Sequence, residues 1–310
     1  MLALTGTTGR IGGATLAAIL KYDLISPSEL VILTSSSPSS QPSSYAQLAE
    51  SGTRILQANY DDPDSLTKAF AEAKADRFFL VSTPAIQMDF NDAPHGQGRE
   101  KAHFSAIDAA VAAGVKHIYY TSLAFADGSQ AGVMRAHFRT EAYLKKLRSE
   151  GKVGYTFIRE GLYNESWPLY LGHYKPKGDE REEIVVAGDG PVSWTSVQDL
   201  GIGTATIITD RTDRWKDATM FLSLRHSLTL KESLAIVDGK KSLKVVSSEE
   251  YIRHYEEAGM PRAMLEWWCT TYPSLEAGHA RIQDGTLEEI LAAKGKKPDE
   301  LAETVRAMKA

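Results

Sequence analysis

The sequence predicts an α/β fold: a doubly wound parallel sheet with helices on both faces and a smaller C-terminal α/β lobe. Three observations carry this. Short apolar segments alternate with helical ones from Leu2 to Arg159. A glycine-rich turn, Gly6-Thr7-Thr8-Gly9-Arg10-Ile11-Gly12, divides the first apolar segment from the first helical one. Beyond Arg159 the alternation breaks, and a mixed segment with Trp, Tyr, Pro and charged residues follows. Alternation of this kind implies right-handed crossovers and a sheet covered on both faces.

The elements follow in order. Leu2 begins the first strand, and Ala14 to Leu20 carry the first helical pattern. Leu30 to Leu33 reads as the second strand, followed by a Ser- and Pro-rich loop from Ser35 to Ser44. Arg54 to Ala58 is the third strand. Pro63 to Ala73 is a helix with Asp62 or Asp64 as its cap. Arg77 to Ser82 contains Phe78-Phe79-Leu80-Val81, the unbroken apolar run expected of a central parallel strand. Gly98 to Ala113 is a helix ended by Gly114, Val115 to Ser122 a strand, Gly132 to Glu150 a helix stopped by Gly151, and Tyr155 to Arg159 the sixth strand. Val192 to Val197 reads as a strand, Asp199 to Thr209 as a helix and Ala218 to Leu224 as the seventh strand. Leu228 to Val237, Ser248 to Ala258, Leu287 to Ala293 and Pro298 to Met308 read as helices. Residues 1–161 therefore form the expected nucleotide-binding domain, with 192–224 returning to it. Residues 162–191 and 225–310 form the smaller lobe, laid over the carboxyl ends of the strands where open α/β sheets bind ligands.

The glycine turn has a chemical reading. A side chain there blocks the backbone from a pyrophosphate, and the following helix offers free N–H groups and a positive dipole end. The spacing is G-x-x-G-x-x-G, a variant of the dinucleotide fingerprint, and with the flanking strand and helix it predicts a Rossmann-type domain. Gly6, Thr7, Thr8, Gly9, Arg10, Ile11 and Gly12 are the candidate phosphate cradle. The end of the second strand carries Thr34-Ser35-Ser36-Ser37 and no acidic residue. An acidic side chain there repels a 2′-phosphate, whereas Ser35 hydroxyl and nearby Arg10 suit one. NADP(H) is therefore the favoured cofactor, with NAD(H) second.

Composition narrows the class. The 310 residues carry a net charge of −5, with 43% hydrophobic and 24% charged residues. There is no basic footprint for nucleic acid and no apolar run long enough for a membrane span. Cys269 is the single cysteine, which fits a reducing compartment. A first strand at Leu2 leaves no room for a targeting peptide, so the expected place is the cytoplasm. The eight histidines show no metal-ligand spacing, so no metal site is expected. Ser122, His137 and Asp127 lack a G-x-S-x-G elbow and are not read as a hydrolase triad.

Taken together, the ordered segments resemble the NmrA-like family, an atypical branch of the short-chain dehydrogenase/reductases. That branch includes triphenylmethane reductases, bacterial NAD(P)H:quinone oxidoreductases and nitrogen-repression regulators. The carrying segments are Gly6 to Gly12, Ala58 to Pro63, Phe79 to Pro84, His117 to Ser122, His137 to Glu141, Phe157 to Gly161, Trp194 to Gly201 and the tail Thr286 to Ile290 with Lys297-Pro298. They span nearly the whole chain.

The resemblance implies site roles. Asn59 stands where relatives often place an aspartate on the adenine amino group, and its carbonyl oxygen accepts the same bond. Ser82, Thr83 and Pro84 end the fourth strand beside the nicotinamide ribose. Ser122 takes the place of the superfamily's active-site serine. Where ordinary members carry a catalytic tyrosine and a lysine four residues on, this chain has His137 and Glu141, on one helix face. His137 is expected to act as donor or acid, with Glu141 orienting it and Tyr120 nearby. Tyr163 and Asn164 are expected to line the substrate pocket. Trp267 and Trp268 read as lobe core or pocket wall.

The implied activity is an NADPH-dependent reductase acting by hydride transfer on a small aromatic or quinone-like substrate, in a setting such as fungal secondary metabolism. The partners are then a small molecule and, at most, a second copy of the chain. A dinucleotide-sensing regulator without turnover, and a non-redox isomerase or dehydratase, fit the same residues.

Overall fold

The computed structural model describes residues 1–310, the side chain of Pro38 excepted. The strands are β1 (Leu2–Leu4), β2 (Leu30–Thr34), β3 (Arg54–Gln57), β4 (Arg77–Leu80), β5 (His117–Leu123), β6 (Gly154–Glu160), β7 (Leu162–Tyr163), β8 (Glu183–Val186), β9 (Trp194–Thr195), β10 (Ala218–Leu222) and β11 (Ser242–Val245). Seven of them form the central sheet, in the order β10-β6-β5-β4-β1-β2-β3, with parallel pairing throughout. Leu4 lies between Ile32 on one side and Phe79 on the other. The chain winds outward in both directions from β1, so the gap between β1 and β4 is the switch point where such sheets take ligands.

The helices are α1 (Arg10–Lys21), α2 (Ser44–Glu50), α3 (Pro63–Ala73), α4 (Glu100–Ala112), α5 (Gly132–Ser149), α6 (Trp167–Tyr170), α7 (Val197–Thr209), α8 (Leu230–Val237), α9 (Ser248–Glu257), α10 (Arg262–Cys269), α11 (Thr271–Glu276), α12 (Thr286–Ala293) and α13 (Leu301–Lys309). Alternation along each strand divides the core. Leu4, Ile32, Phe79 and Ile158 bury against α1, α7 and α12. Ala3, Val31, Phe78, Tyr120 and Phe157 bury on the other face, with side chains of α3, α4 and α5. A third core fills the C-terminal lobe, where Tyr170 meets Trp194 and Trp268 edge-on at 5.2 and 5.0 Å. No helix among the described residues is long and apolar enough to cross a membrane.

Two segments differ from expectation. The strand expected at Val192 to Val197 shrinks to Trp194–Thr195, which pairs with β7 outside the central sheet. Val192 instead bridges Leu228, and Ser196 leaves the strand to cap α7 through its hydroxyl. The mixed stretch after Leu162 holds the four-residue α6 and β8, each too short to show a period, and β8 pairs with β11. The tail folds back over the middle of the chain. Lys296 bonds Asp199 at 2.6 Å, and Asn164 donates to the Asp299 carbonyl and to the Thr304 hydroxyl, 140 residues away.

Phe78 is fully buried and meets Phe70 edge-on at 4.7 Å. Its replacement by alanine opens a hole in the sheet's core. Phe78→Ala is expected to cost about 3–5 kcal/mol, read as a lowered midpoint in chemical denaturation.

Candidate functional site

Thr5, one residue beyond β1, braces the switch point. Its hydroxyl donates to the Phe79 carbonyl and accepts from the Tyr60 hydroxyl at 2.7 Å and from the Val81 N–H. The turn that follows is crowded on both sides. Gly6 has φ +67°, and a Cβ there would lie 2.8 Å from the Val81 Cβ. A Cβ on Gly12 would run into the Gly6 carbonyl oxygen. Only glycine lets α1 start so close to the turn. Gly9 caps α1 without a side chain, and the first helical turn holds no acidic residue. Its N–H groups and dipole are left for an anion, which is the fit a pyrophosphate requires.

A cavity of about 1110 Å³ opens over the carboxyl ends of the strands. Gly6, Thr7, Thr8, Gly9, Arg10, Ile11, Ser35, Asn59, Ser82, Thr83, Pro84, Ser122, His137 and Tyr163 all line it. Gly12, Tyr120, Glu141 and Asn164 do not. Gly12 serves the cradle from behind, through the close approach just described. The far end is walled by Met88, Leu169, Tyr170, Trp267 and Trp268, the last two from α10.

At the reacting end the polar groups are committed. The Ser122 hydroxyl donates to Glu141 Oε1 at 2.7 Å, and Arg159 holds both carboxylate oxygens at 2.9 and 2.7 Å. Glu141 was expected beside His137. It is instead the counter-charge of a buried guanidinium, because Arg159 on β6 has no water to solvate it. His137 is 5% exposed, and its Nδ1 lies 3.0 Å from the Tyr120 hydroxyl. Burial, with the Arg99 guanidinium next in weight, holds its pKa well below the ordinary imidazole value. At neutral pH the His137 ring is therefore uncharged, a neutral imidazole and not an imidazolium. Tyr120 is fully buried behind it, and burial raises its phenol above the ordinary range. Asn164, expected in the substrate pocket, is fully buried and spends its amide on the tail contacts.

Two features escaped the sequence reading. Glu160, at the end of β6, lines the cavity with 1% exposure. Its Oε2 accepts from the Tyr163 hydroxyl at 2.9 Å, while Oε1 has no partner among the described residues. Burial lifts this carboxyl to about 8, which favours the protonated acid over the carboxylate at neutral pH. An acidic residue closing an apolar strand beside Gly161 was the available signal. The second feature is the Asp89–Arg99 pair, 2.6 Å and buried, which ties the 84–99 segment down beside the cavity. Arg99 also donates to the Thr83 and Val133 carbonyls.

A doubly wound sheet, a glycine turn at its switch point and a second lobe closing one cavity define a class: two-lobed α/β proteins that seat a dinucleotide. The NmrA-like family model matches residues 1–254, and the chain belongs to that family. It is 28% identical to an NmrA-like family domain-containing oxidoreductase of Aspergillus flavus, over 98% of this chain and 94% of the relative. The crystal structure of an NADPH-dependent quinone oxidoreductase from Escherichia coli, complexed with NADPH, superposes with TM-score 0.78 at 25% identity, covering both chains completely. The Citrobacter triphenylmethane reductase complexed with NADP(H) superposes with TM-score 0.75 at 26% identity, over 99% of each chain.

Glu160 gives stability a pH signature. In the unfolded chain its carboxyl ionises near 4.5, and in the fold near about 8. Between these values the unfolded chain has released a proton that the fold retains. The contribution is full below about 4.5 and declines as pH rises towards about 8. Glu160→Gln should therefore show a shallower loss of denaturation midpoint across that window than the parent.

Proposed function

We propose that the chain is an NADPH-dependent oxidoreductase that delivers hydride to a small aromatic or quinone-like substrate. One observation carries the reading: a single cavity runs from the glycine turn, past Ser82, Thr83 and Pro84, to Ser122 and His137, and on to the Trp267–Trp268 wall. The reductase relatives with NADPH or NADP(H) bound support the cofactor, and the Aspergillus flavus oxidoreductase of the same family supports the reaction class.

NADPH, when bound, supplies the hydride. The chain's own groups hold and orient. The backbone from Gly6 to Ile11 would cradle the pyrophosphate, Arg10 and Ser35 the 2′-phosphate, Asn59 the adenine, and Ser82 to Pro84 the nicotinamide ribose. Asn59 Oδ1 accepts from the Asp61 N–H, and its second lone pair stays available. Trp267 and Trp268 offer flat apolar faces to a flat substrate. The neutral imidazole of His137 donates to the substrate oxygen on which negative charge gathers, and Tyr163 lines the same cavity as a further wall. Residues 1–161 with 192–224 serve the dinucleotide, joined by α12, which packs on α7; 162–191 and the rest of 225–310 cover the substrate end and exclude water.

Gly9→Asp tests the cradle. Aspartate is a good helix cap and Gly9 has an extended backbone, so the fold is expected to persist. The carboxylate repels the pyrophosphate, and calorimetry should then detect no NADPH binding. In the parent protein the same titration should give tighter binding of NADPH than of NADH, on the order of 1.5–3 kcal/mol for one charge-assisted phosphate contact. Unchanged affinity in the folded variant would place the cofactor elsewhere.

His137→Ala is expected to lower single-turnover quinone reduction about 10²-fold while leaving NADPH affinity intact. A purely structural histidine would instead lower the melting temperature and leave the rate per folded molecule unchanged. NADPH binding with no turnover on any quinone or triphenylmethane dye would favour a dinucleotide sensor.

A further inference from the structure

Donor and acceptor roles can be followed through the buried polar chain behind the cavity. The Thr83 backbone N–H lies 3.1 Å from His103 Nε2. A backbone N–H only donates, so that nitrogen is an acceptor and carries no proton. His103 is fully buried, and burial drops its pKa to about 3, so its one ring proton sits on Nδ1. Nδ1–H reaches the Thr140 hydroxyl at 2.9 Å, and that hydroxyl passes its own proton to the Ala136 carbonyl. The Tyr120 hydroxyl lies 3.3 Å from His103 Nδ1 and 3.0 Å from His137 Nδ1, with the Thr140 and Ser82 hydroxyls also beside it. The first is already a donor. Of the two nitrogens only His137 Nδ1 is free to accept, and it is the nearer, which directs the tyrosine proton there and the His137 proton to Nε2. Nε2 makes no hydrogen bond with a described residue, and His137 lines the cavity.

We propose that Tyr120, oriented by His103, is a positioning residue that fixes the Nε2–H tautomer of His137 and so decides that the cavity meets a hydrogen-bond donor. The inference rests on the reductase reading for its purpose, though not for its geometry. It also gives Tyr120 a place in the site that needs no contact with substrate. The opposite tautomer would present a lone pair to the substrate oxygen, and the two would repel. The choice of substrate follows: the group seated against His137 is an acceptor, such as a carbonyl or quinone oxygen. A hydroxyl or amine donor there would compete with the Nε2–H.

The test is two-bond ¹H–¹⁵N correlation spectroscopy of the histidine rings, on the whole protein with and without NADPH. The expected spectrum shows His137 protonated on Nε2 and His103 protonated on Nδ1. A His137 proton on Nδ1 overturns the proposal without any variant being made. In Tyr120→Phe, His137 should become a mixture of tautomers while His103 keeps its Nδ1 proton through Thr83 and Thr140. Turnover should fall about tenfold, the scale of one neutral hydrogen bond, with NADPH affinity unchanged. A folded Tyr120→Phe protein whose His137 keeps a single Nε2–H tautomer overturns the positioning role. The two readings fail separately. If His137→Ala turns over like the parent while the tautomers are as stated, the catalytic use of His137 is wrong and the relay stands.

Discussion

The fold depends on a lack of space between the end of β1 and the start of α1. Gly12 lies against the Gly6 carbonyl and Gly6 against Val81, so helix, turn and neighbouring strand touch through backbone and one valine side chain. That crowding sets where α1 begins and points its free N–H groups across the strand ends. Thr5 then ties β1 to the chain beyond β4 by accepting from the Val81 N–H, and Tyr60 braces it by donating to the Thr5 hydroxyl. Everything the cavity offers an anion follows from that packing, since the cradle supplies backbone and no fixed charge apart from exposed Arg10.

The opposite wall is built on another logic. Arg99, Asp89, Arg159 and Glu141 are all buried, and each cation meets a carboxylate within 2.7 Å. Such pairs contribute little net stability over apolar packing, but removing one partner is costly, so the wall is held in a single arrangement. His103 and His137 sit among these charges as neutral rings, and Glu160 sits nearby as a neutral acid. The wall thus presents directional donors and acceptors on neutral groups held among paired charges.

The parallel sheet and the glycine cradle were legible because both are written locally. Phe78-Phe79-Leu80 shows two-sided burial in three letters, and Gly6, Gly9 and Gly12 show a turn in seven. The cavity side of α5 was half legible: spacing puts His137 and Glu141 on one helix face, but Arg159, 18 residues away on β6, decides what Glu141 does. Asn164 misled for the same reason, as its partners are 135 and 140 residues further on. Glu160 was read only as one letter of the Phe157 to Gly161 segment, since its environment is made by elements far along the chain. Short pieces such as β8, β9 and β11 carry too few residues to show a period, and their pairing is a tertiary outcome.

The return of the tail over the middle of the chain has a consequence for synthesis. β10 completes the sheet edge beside β6 only after residue 222 exists, α12 covers α7 later still, and the Lys296–Asp199 contact comes almost at the end. A nascent chain that has made the glycine turn, β1 to β6 and α5 still exposes the flank of β6 and the apolar face of α1. Neither lobe is finished before the other, so a ribosome-bound intermediate carries an open strand edge for many residues of elongation. Such edges pair with other chains. For this protein the vulnerable interval in the cell is translation itself, and truncation near the C-terminus should harm solubility more than any loss of surface contacts suggests.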